Sequence, residues 1–176
     1  MSTNVILLNG ASSSGKSSIA RSLQTVLAEP WLTFGVDTLV DALPRAMQDS
    51  DAGIEFAADG RVTIGAAFRV LDVAWATGIA AMAAAGAHII VDEVFLGGAR
   101  SQERWRKALA GLEVVWVGVR CDVEEANRRE LDRSDRTMGM AATQARMVHV
   151  GVTYDIEVDT THASSGDCAM EIARFI

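Results

Sequence analysis

Short, nearly continuous apolar runs punctuate the chain at residues 5–9 (Val5-Ile6-Leu7-Leu8-Asn9), 31–36, 88–91 (His88-Ile89-Ile90-Val91) and 113–119. Each is bounded by glycine, proline or a charged residue, the form expected of strands covered on both faces. A last run, 154–159, alternates apolar residues with acids and reads as a fifth strand. Between the runs, apolar residues recur at helical spacing over 18–27, 38–47, 66–85, 101–110, 122–136, 138–149 and 164–175. Pro44 has to kink or shorten the second of these helices, and Gly86 ends the third. Residues 49–65 depart from the rhythm. Ile54-Glu55-Phe56 and Arg61-Val62-Thr63-Ile64 flank Asp59-Gly60 and predict a small inserted hairpin, an excursion suited to a lid or pocket wall. Strands that alternate with helices predict an α/β fold: one domain over 1–176, with a five-stranded parallel sheet and helices on both faces.

Composition sharpens this picture only at its edges. With 49% hydrophobic and 22% charged residues the chain has an ordinary globular balance, and 176 residues suffice for one proper core. The net charge of −7 and the lack of a long Lys/Arg stripe argue against a nucleic-acid partner. No basic leader and no uninterrupted apolar span is seen, so neither a signal peptide nor a membrane segment is expected, and the expected location is cytoplasmic. Cys121 and Cys168 form no metal-ligand spacing and read as buried thiols. Oligomeric state is not set by the sequence; a homo-oligomer is left open.

Candidate chemistry starts where the first apolar run breaks. Gly10-Ala11-Ser12-Ser13-Ser14-Gly15-Lys16-Ser17 fits G-x-x-x-x-G-K-[ST], placed between a strand and a helix as that motif requires. The glycines let successive N–H groups turn inward on phosphate oxygens, and the following helix adds the positive end of its dipole. Gly10, Ser13, Ser14, Gly15, Lys16, Ser17 and Ser18 are the expected nucleotide-binding residues. Lys16 would bridge the β- and γ-phosphates and the Ser17 hydroxyl would bind Mg²⁺.

Two further signals fall at the carboxyl ends of predicted strands, where ligands bind in open parallel sheets. Asp92 closes the third strand as a carboxylate able to hold Mg²⁺ beside Ser17, against the plainer reading of a loop cap. Glu93 should point to the other side of that strand, as a second acid, a substrate contact or an ion-pair partner. Asp37, after the second strand, is equally well read as a helix N-cap or as a base that takes the proton of an acceptor hydroxyl. In the mixed-charge run 128–136, Arg128 and Arg129 suit i,i+4 pairs with Glu124 and Glu125. Arg133 and Arg136 suit a lid, about 128–140, that closes on the transferring phosphoryl group. The histidines read as structural, His149 standing at a helix end where the dipole favours a cation. Trp31 and Trp75, with Met47, Met82 and Phe56, read as core before pocket.

Taken together, these residues resemble chloramphenicol phosphotransferase, a family of small P-loop kinases related to nucleoside-monophosphate and shikimate kinases. The resemblance runs through Leu8-Asn9-Gly10 and the P-loop, residues 29–37, Gly53-Ile54-Glu55-Phe56 and Val94-Phe95-Leu96-Gly97-Gly98. It continues through Gln102-Glu103-Arg104-Trp105-Arg106, residues 116–122, Asp135-Arg136 and Val158-Asp159-Thr160-Thr161-His162. It implies a three-layer P-loop NTPase fold and ATP- and Mg²⁺-dependent phosphorylation of the primary hydroxyl of chloramphenicol, which inactivates the antibiotic. It also implies that Asp37 is the general base and that Arg133 and Arg136 belong to the lid. The chain departs from the family pattern at Ala11, Glu93 and Ser134. Rival expectations are a kinase of another hydroxylated metabolite or antibiotic, and a switch-type nucleotide-binding protein.

Overall fold

The computed structural model describes residues 3–48, 50–57, 60–131 and 139–176. Five strands form one sheet: β1 (Val5–Asn9), β2 (Trp31–Gly35), β5 (His88–Glu93), β6 (Val114–Arg120) and β7 (Ile156–Asp159). Their order is β2-β5-β1-β6-β7, and every pairing is parallel. The two most apolar runs take the middle. β1 is flanked by β5, with Val5 opposite Ile89 and Asn9 opposite Glu93, and by β6, with Val5 opposite Val114. Central strands bury both faces, and each fully buried Ile, Leu or Val is worth about 1.5–3 kcal/mol. That is why these runs, and not the alternating β7, hold the centre.

Alternation along the strands divides the core in two. Ile6 and Leu8 of β1, with Ile90 of β5, face α1 (Lys16–Val26) and α7 (Ser165–Phe175), meeting Ile19, Leu23 and Ile172. Val5 and Leu7, with Ile89 and Val91, face α3 (Ala66–Ala84) and α4 (Ala99–Ala108), meeting Ile79 and Trp105. The result is the expected three-layer α/β/α sandwich. α3 is long and apolar enough to cross a membrane by length and composition. Here its Phe68, Ala76, Ile79 and Ala83 are buried within the protein.

A third, smaller apolar cluster lies under the insert. β3 (Ile54–Phe56) and β4 (Val62–Ile64) pair antiparallel, Ile54 opposite Ile64, as the hairpin pattern predicts. Ile54 packs with Leu39, Leu43 and Phe68. Gly60, at φ 79°, sits so close to the start of α6 (Met140–Ala145) that a Cβ there would lie 2.5 Å from the Met140 nitrogen. Only glycine fits both constraints.

Two helices are shorter than their patterns suggest, and a third is described only in part. The stretch after β2 is α2 (Val36–Asp41) followed by a separate 3₁₀ turn, Arg45–Met47, because Pro44 cannot continue a helix. α5 is described over Val123–Leu131, and the expected continuation to 136 lies outside the described residues. α6 covers only Met140–Ala145, not 138–149. Beyond it the backbone is drawn into tertiary bonds: the carbonyl of Val148 accepts from the Asn9 side chain at 2.7 Å and that of Val150 from Ala99 N–H at 3.0 Å.

Candidate active site

β1 ends at Asn9, whose amide is held from both sides. Its Nδ2 donates to the Val148 carbonyl at 2.7 Å, and its Oδ1 accepts from Phe95 N–H at 2.8 Å. The chain then turns through the phosphate-loop motif into α1. Gly15 takes φ 88° and Ser13 φ 58°, left-handed geometry that L side chains adopt reluctantly and that curls the loop. The loop is braced from elsewhere in the fold. Ser12 N–H donates to Gln144 Oε1 of α6 at 2.7 Å, and the Ser14 carbonyl accepts from the Thr160 hydroxyl, past the end of β7, at 2.8 Å. α6 is anchored in turn by buried Glu130, whose carboxylate accepts from Gly139 and Ala141 N–H at 2.8 and 3.0 Å.

Ser12, Ser13, Gly15, Lys16, Ser17 and Ser18 line a cavity of about 1210 Å³. Gly10 and Ser14 of the loop do not line the cavity; Gly10 packs against Val119, and the Ser14 carbonyl accepts from Thr160. The hydroxyls of Ser12, Ser13 and Ser14 are buried without a protein partner. Lys16 Nζ donates to the Ala11 carbonyl at 2.9 Å and stands 3.7 Å from Asp92. Ser17 Oγ donates to Asp92 Oδ2 at 2.6 Å, so the hydroxyl and carboxylate from opposite ends of the motif set meet as a Mg²⁺ site requires. Among the described residues no cluster of three or more His, Cys, Asp or Glu could hold a metal alone. A two-residue hold fits Mg²⁺, which keeps waters and phosphate oxygens for its other positions.

The cavity continues from the loop to Asp37, which lies in the first turn of α2. The N-cap reading of Asp37 is corrected: Gly35 occupies the cap, and its N–H donates to Thr38 Oγ1 at 3.3 Å. The cavity's apolar wall comes from β2, the insert and α3, with Phe34, Ile54, Phe56, Val62, Ile64 and Phe68. Of the aromatic and methionine residues weighed as a pocket, Phe56 lines the cavity. Trp31 is core, tilted on His88, and Trp75 meets Phe34 edge to face. Arg133 and Arg136 lie outside the described residues.

Glu93 and Asp92 point to opposite sides of β5, as strand alternation predicts. Glu93 is buried at the foot of the apolar wall, beside an ion pair between Asp72 of α3 and Arg104 of α4 at 3.1 Å. Burial pushes the Glu93 carboxyl up to about 8; Arg104 opposes the shift and Asp72 adds to it. Burial likewise raises Asp72, with Arg104 opposing.

Of the i,i+4 pairs expected on α5, Glu125 with Arg129 forms, at 2.8 Å, whereas Arg128 meets Glu125 in addition, at 2.7 Å. Arg129 also reaches the cavity beside Gly15 and donates to the Thr160 carbonyl at 2.6 Å. His149 is no helix-end cation. It is half-buried, with Nδ1 at 2.6 Å from the Tyr154 hydroxyl, and desolvation lowers it to about 4, with Arg120 adding to the shift. Cys168 is buried, whereas Cys121 is only partly so.

A family model for chloramphenicol phosphotransferase-like proteins matches residues 3–176. The chain belongs to the chloramphenicol phosphotransferase-like family. Two Mycobacterium tuberculosis sequences, from strains CDC 1551 and H37Rv and provisionally named O-phosphotransferases, are 34% identical over 96% of this chain and 80% of theirs. A sugar kinase from Janibacter superposes with a TM-score of 0.67 at 17% identity, covering 98% of this chain and 92% of its own. The M. tuberculosis APS kinase, solved with AMPPNP and APS, gives 0.64 at 16% identity over 98% and 96%. At these identities the likeness is one of fold, that of the P-loop kinases. The family member described here is accordingly a kinase-type enzyme, an O-phosphotransferase acting on a small molecule.

Sequence reasoning did not find Asp72, Arg104, Arg129, Gln144 or Thr160 as site residues. Arg129 was hidden in a run whose local pairs explain it. Arg104 and Thr160 stand in stretches that carry the family resemblance, the only signal that marked them.

Proposed function

We propose that the chain transfers the γ-phosphoryl group of ATP, with Mg²⁺, to the primary hydroxyl of chloramphenicol and so inactivates the antibiotic. The observation that carries this reading is one continuous cavity lined at one end by the phosphate loop and at the other by Asp37 and an apolar wall. A pure nucleotide switch needs no such second half. Lys16 exchanges the Ala11 carbonyl for the β- and γ-phosphates, and the N–H groups of the loop hold the rest of the chain. Ser17 and Asp92 hold Mg²⁺, which supplies positive charge to the phosphate oxygens. Asp37 accepts the proton of the acceptor hydroxyl as its oxygen bonds to the γ-phosphorus. The bond from that phosphorus to the β–γ bridging oxygen breaks, and ADP leaves. Arg133 and Arg136 are assigned to charge on the moving phosphoryl group by family resemblance. The apolar wall suits a molecule with an aromatic body, and another neutral hydroxylated compound of similar size is the second reading.

The test is transfer from γ-labelled ATP to a panel containing chloramphenicol, other hydroxylated antibiotics, sugars and nucleosides. Label on chloramphenicol at its primary hydroxyl is expected. Label confined to sugars or nucleosides would refute the acceptor, and no acceptor-dependent ADP release would refute the kinase.

A further inference from the structure

The proposed transfer leaves one built feature of the cavity unused. Glu93 is 3% exposed. Its Oε2 accepts from Val94 N–H at 3.3 Å, while Oε1 is buried with no partner. Beside it Arg104 pairs with Asp72 at 3.1 Å through Nη1, and the Nε of Arg104 is also buried with no partner. All three residues line the cavity. Buried polar atoms without partners are rare and costly, so two of them in the wall of a ligand-sized cavity mark a place where a ligand supplies the missing bonds.

Placement excludes an easier explanation. On β5, residues 89 and 91 face the α3–α4 layer and residue 90 faces the α1 layer. Strand alternation therefore turns Asp92 toward the phosphate loop and Glu93 toward the acceptor. Asp92 is engaged with Ser17 and Lys16, and Glu93 has no part in that set.

The chemistry of the ligand group follows from the charges. The cluster holds two carboxyl groups and one guanidinium, and Asp72 already occupies that guanidinium. Within this cluster no positive charge is left over for an anionic group; Arg69 and Arg100 line the same cavity but are not among the charges that act on Glu93. A hydroxyl both donates and accepts, so it can pair with a carboxyl oxygen and with an N–H. We infer that Glu93, framed by the Asp72–Arg104 pair, determines specificity by binding a second, neutral hydroxyl of the acceptor, distinct from the one phosphorylated. The inference rests on the kinase reading above and narrows its acceptor to molecules carrying at least two hydroxyls, uncharged at the one Glu93 binds.

Three acceptors that differ at one carbon test it: N-benzoylserinol with a second hydroxymethyl, N-benzoylalaninol with a methyl in its place, and N-benzoylserine with a carboxylate. In the unaltered enzyme kcat/KM for N-benzoylserinol should exceed that for N-benzoylalaninol about tenfold, mostly through KM, as a site built to pair a hydroxyl rejects an analogue lacking it. N-Benzoylserine should be the poorest of the three. Glu93→Met should bring the serinol-to-alaninol ratio to within about twofold, and Glu93→Gln, whose amide donates and accepts, should hold it near the original value. Glu93→Ala is measured in parallel, so that a folding defect in one variant does not decide the result. An unchanged ratio in the Met and Ala variants overturns the inference, as does a preference for N-benzoylserine. Transfer to other panel members but to none of these three also overturns it while leaving the kinase reading intact. Transfer to nothing overturns the kinase reading itself.

Discussion

Asp37→Asn separates two roles that one carboxylate could fill. The side chain sits in the first turn of α2, exposed, and lines the cavity between the phosphate loop and the apolar wall. In the fold its interaction with the helix dipole, like any single contact of an exposed carboxylate, is worth about 0.3–1 kcal/mol. In a domain of this size that corresponds to a fall in Tm of at most about 4 °C. In the reaction, loss of a positioned base costs about 10²–10⁴-fold in rate, or roughly 2.7–5.5 kcal/mol of barrier. The two magnitudes do not overlap. Asparagine keeps the shape and removes only the proton-accepting charge, so kcat should fall at least about a hundredfold while melting shifts by a few degrees. A coupled assay of ADP release with saturating acceptor gives kcat, and titration with a non-hydrolysable ATP analogue gives nucleotide affinity, which should change less than about threefold because Asp37 stands outside the phosphate loop. A kcat within about tenfold of the parent would refute the base, as would a loss of rate that tracks a loss of fold.

Asp92→Asn should keep the contact with Ser17 Oγ but weaken the hold on Mg²⁺, raising the metal concentration for half-maximal activity about tenfold or more. An unchanged metal titration would remove Asp92 from that role. His149 gives a prediction in pH. Its folded pKa, about 4, lies below the ordinary 6.5, so between those values the unfolded chain binds a proton that the folded chain refuses. Stability is therefore lost as pH falls from about 6.5 toward about 4 and should change no further from this group below that. The difference in urea midpoint between the parent and His149→Gln should shift across that window; a constant difference would show that His149 titrates normally.

The sheet was legible because its strands are buried on both faces. Val5-Ile6-Leu7-Leu8 and Ile89-Ile90-Val91 tolerate no polar interruption, so their sequence announces their place. The phosphate loop was legible for a different reason: backbone N–H groups bind phosphate, and the residues that permit that backbone are few. What escaped the sequence depends on distant segments. Helical spacing over 138–149 ran past the point where Asn9 and Ala99 capture the backbone, so a tertiary bond ended the helix before the pattern did. The Asp72–Arg104 pair joins two helices whose separation in sequence carries no spacing rule, and the burial that shifts Glu93 exists only once the layers close. Position alone leaves Asp37 equally a cap or a base, because caps favour Asp; only the folded turn shows that Gly35 holds the cap position, with its N–H on the Thr38 hydroxyl.

The tie between the Thr160 hydroxyl and the Ser14 carbonyl spans 146 residues. β1 is the central strand, and its two neighbours in the sheet begin far along the chain, at His88 and Val114. During synthesis, then, the phosphate loop precedes both of its braces, Gln144 of α6 and Thr160 past the end of β7, by 132 and 146 residues. Such non-local closure is slow and is paid for before it is rewarded. The braced form of the phosphate loop is therefore a product of the whole fold and not of its own local sequence.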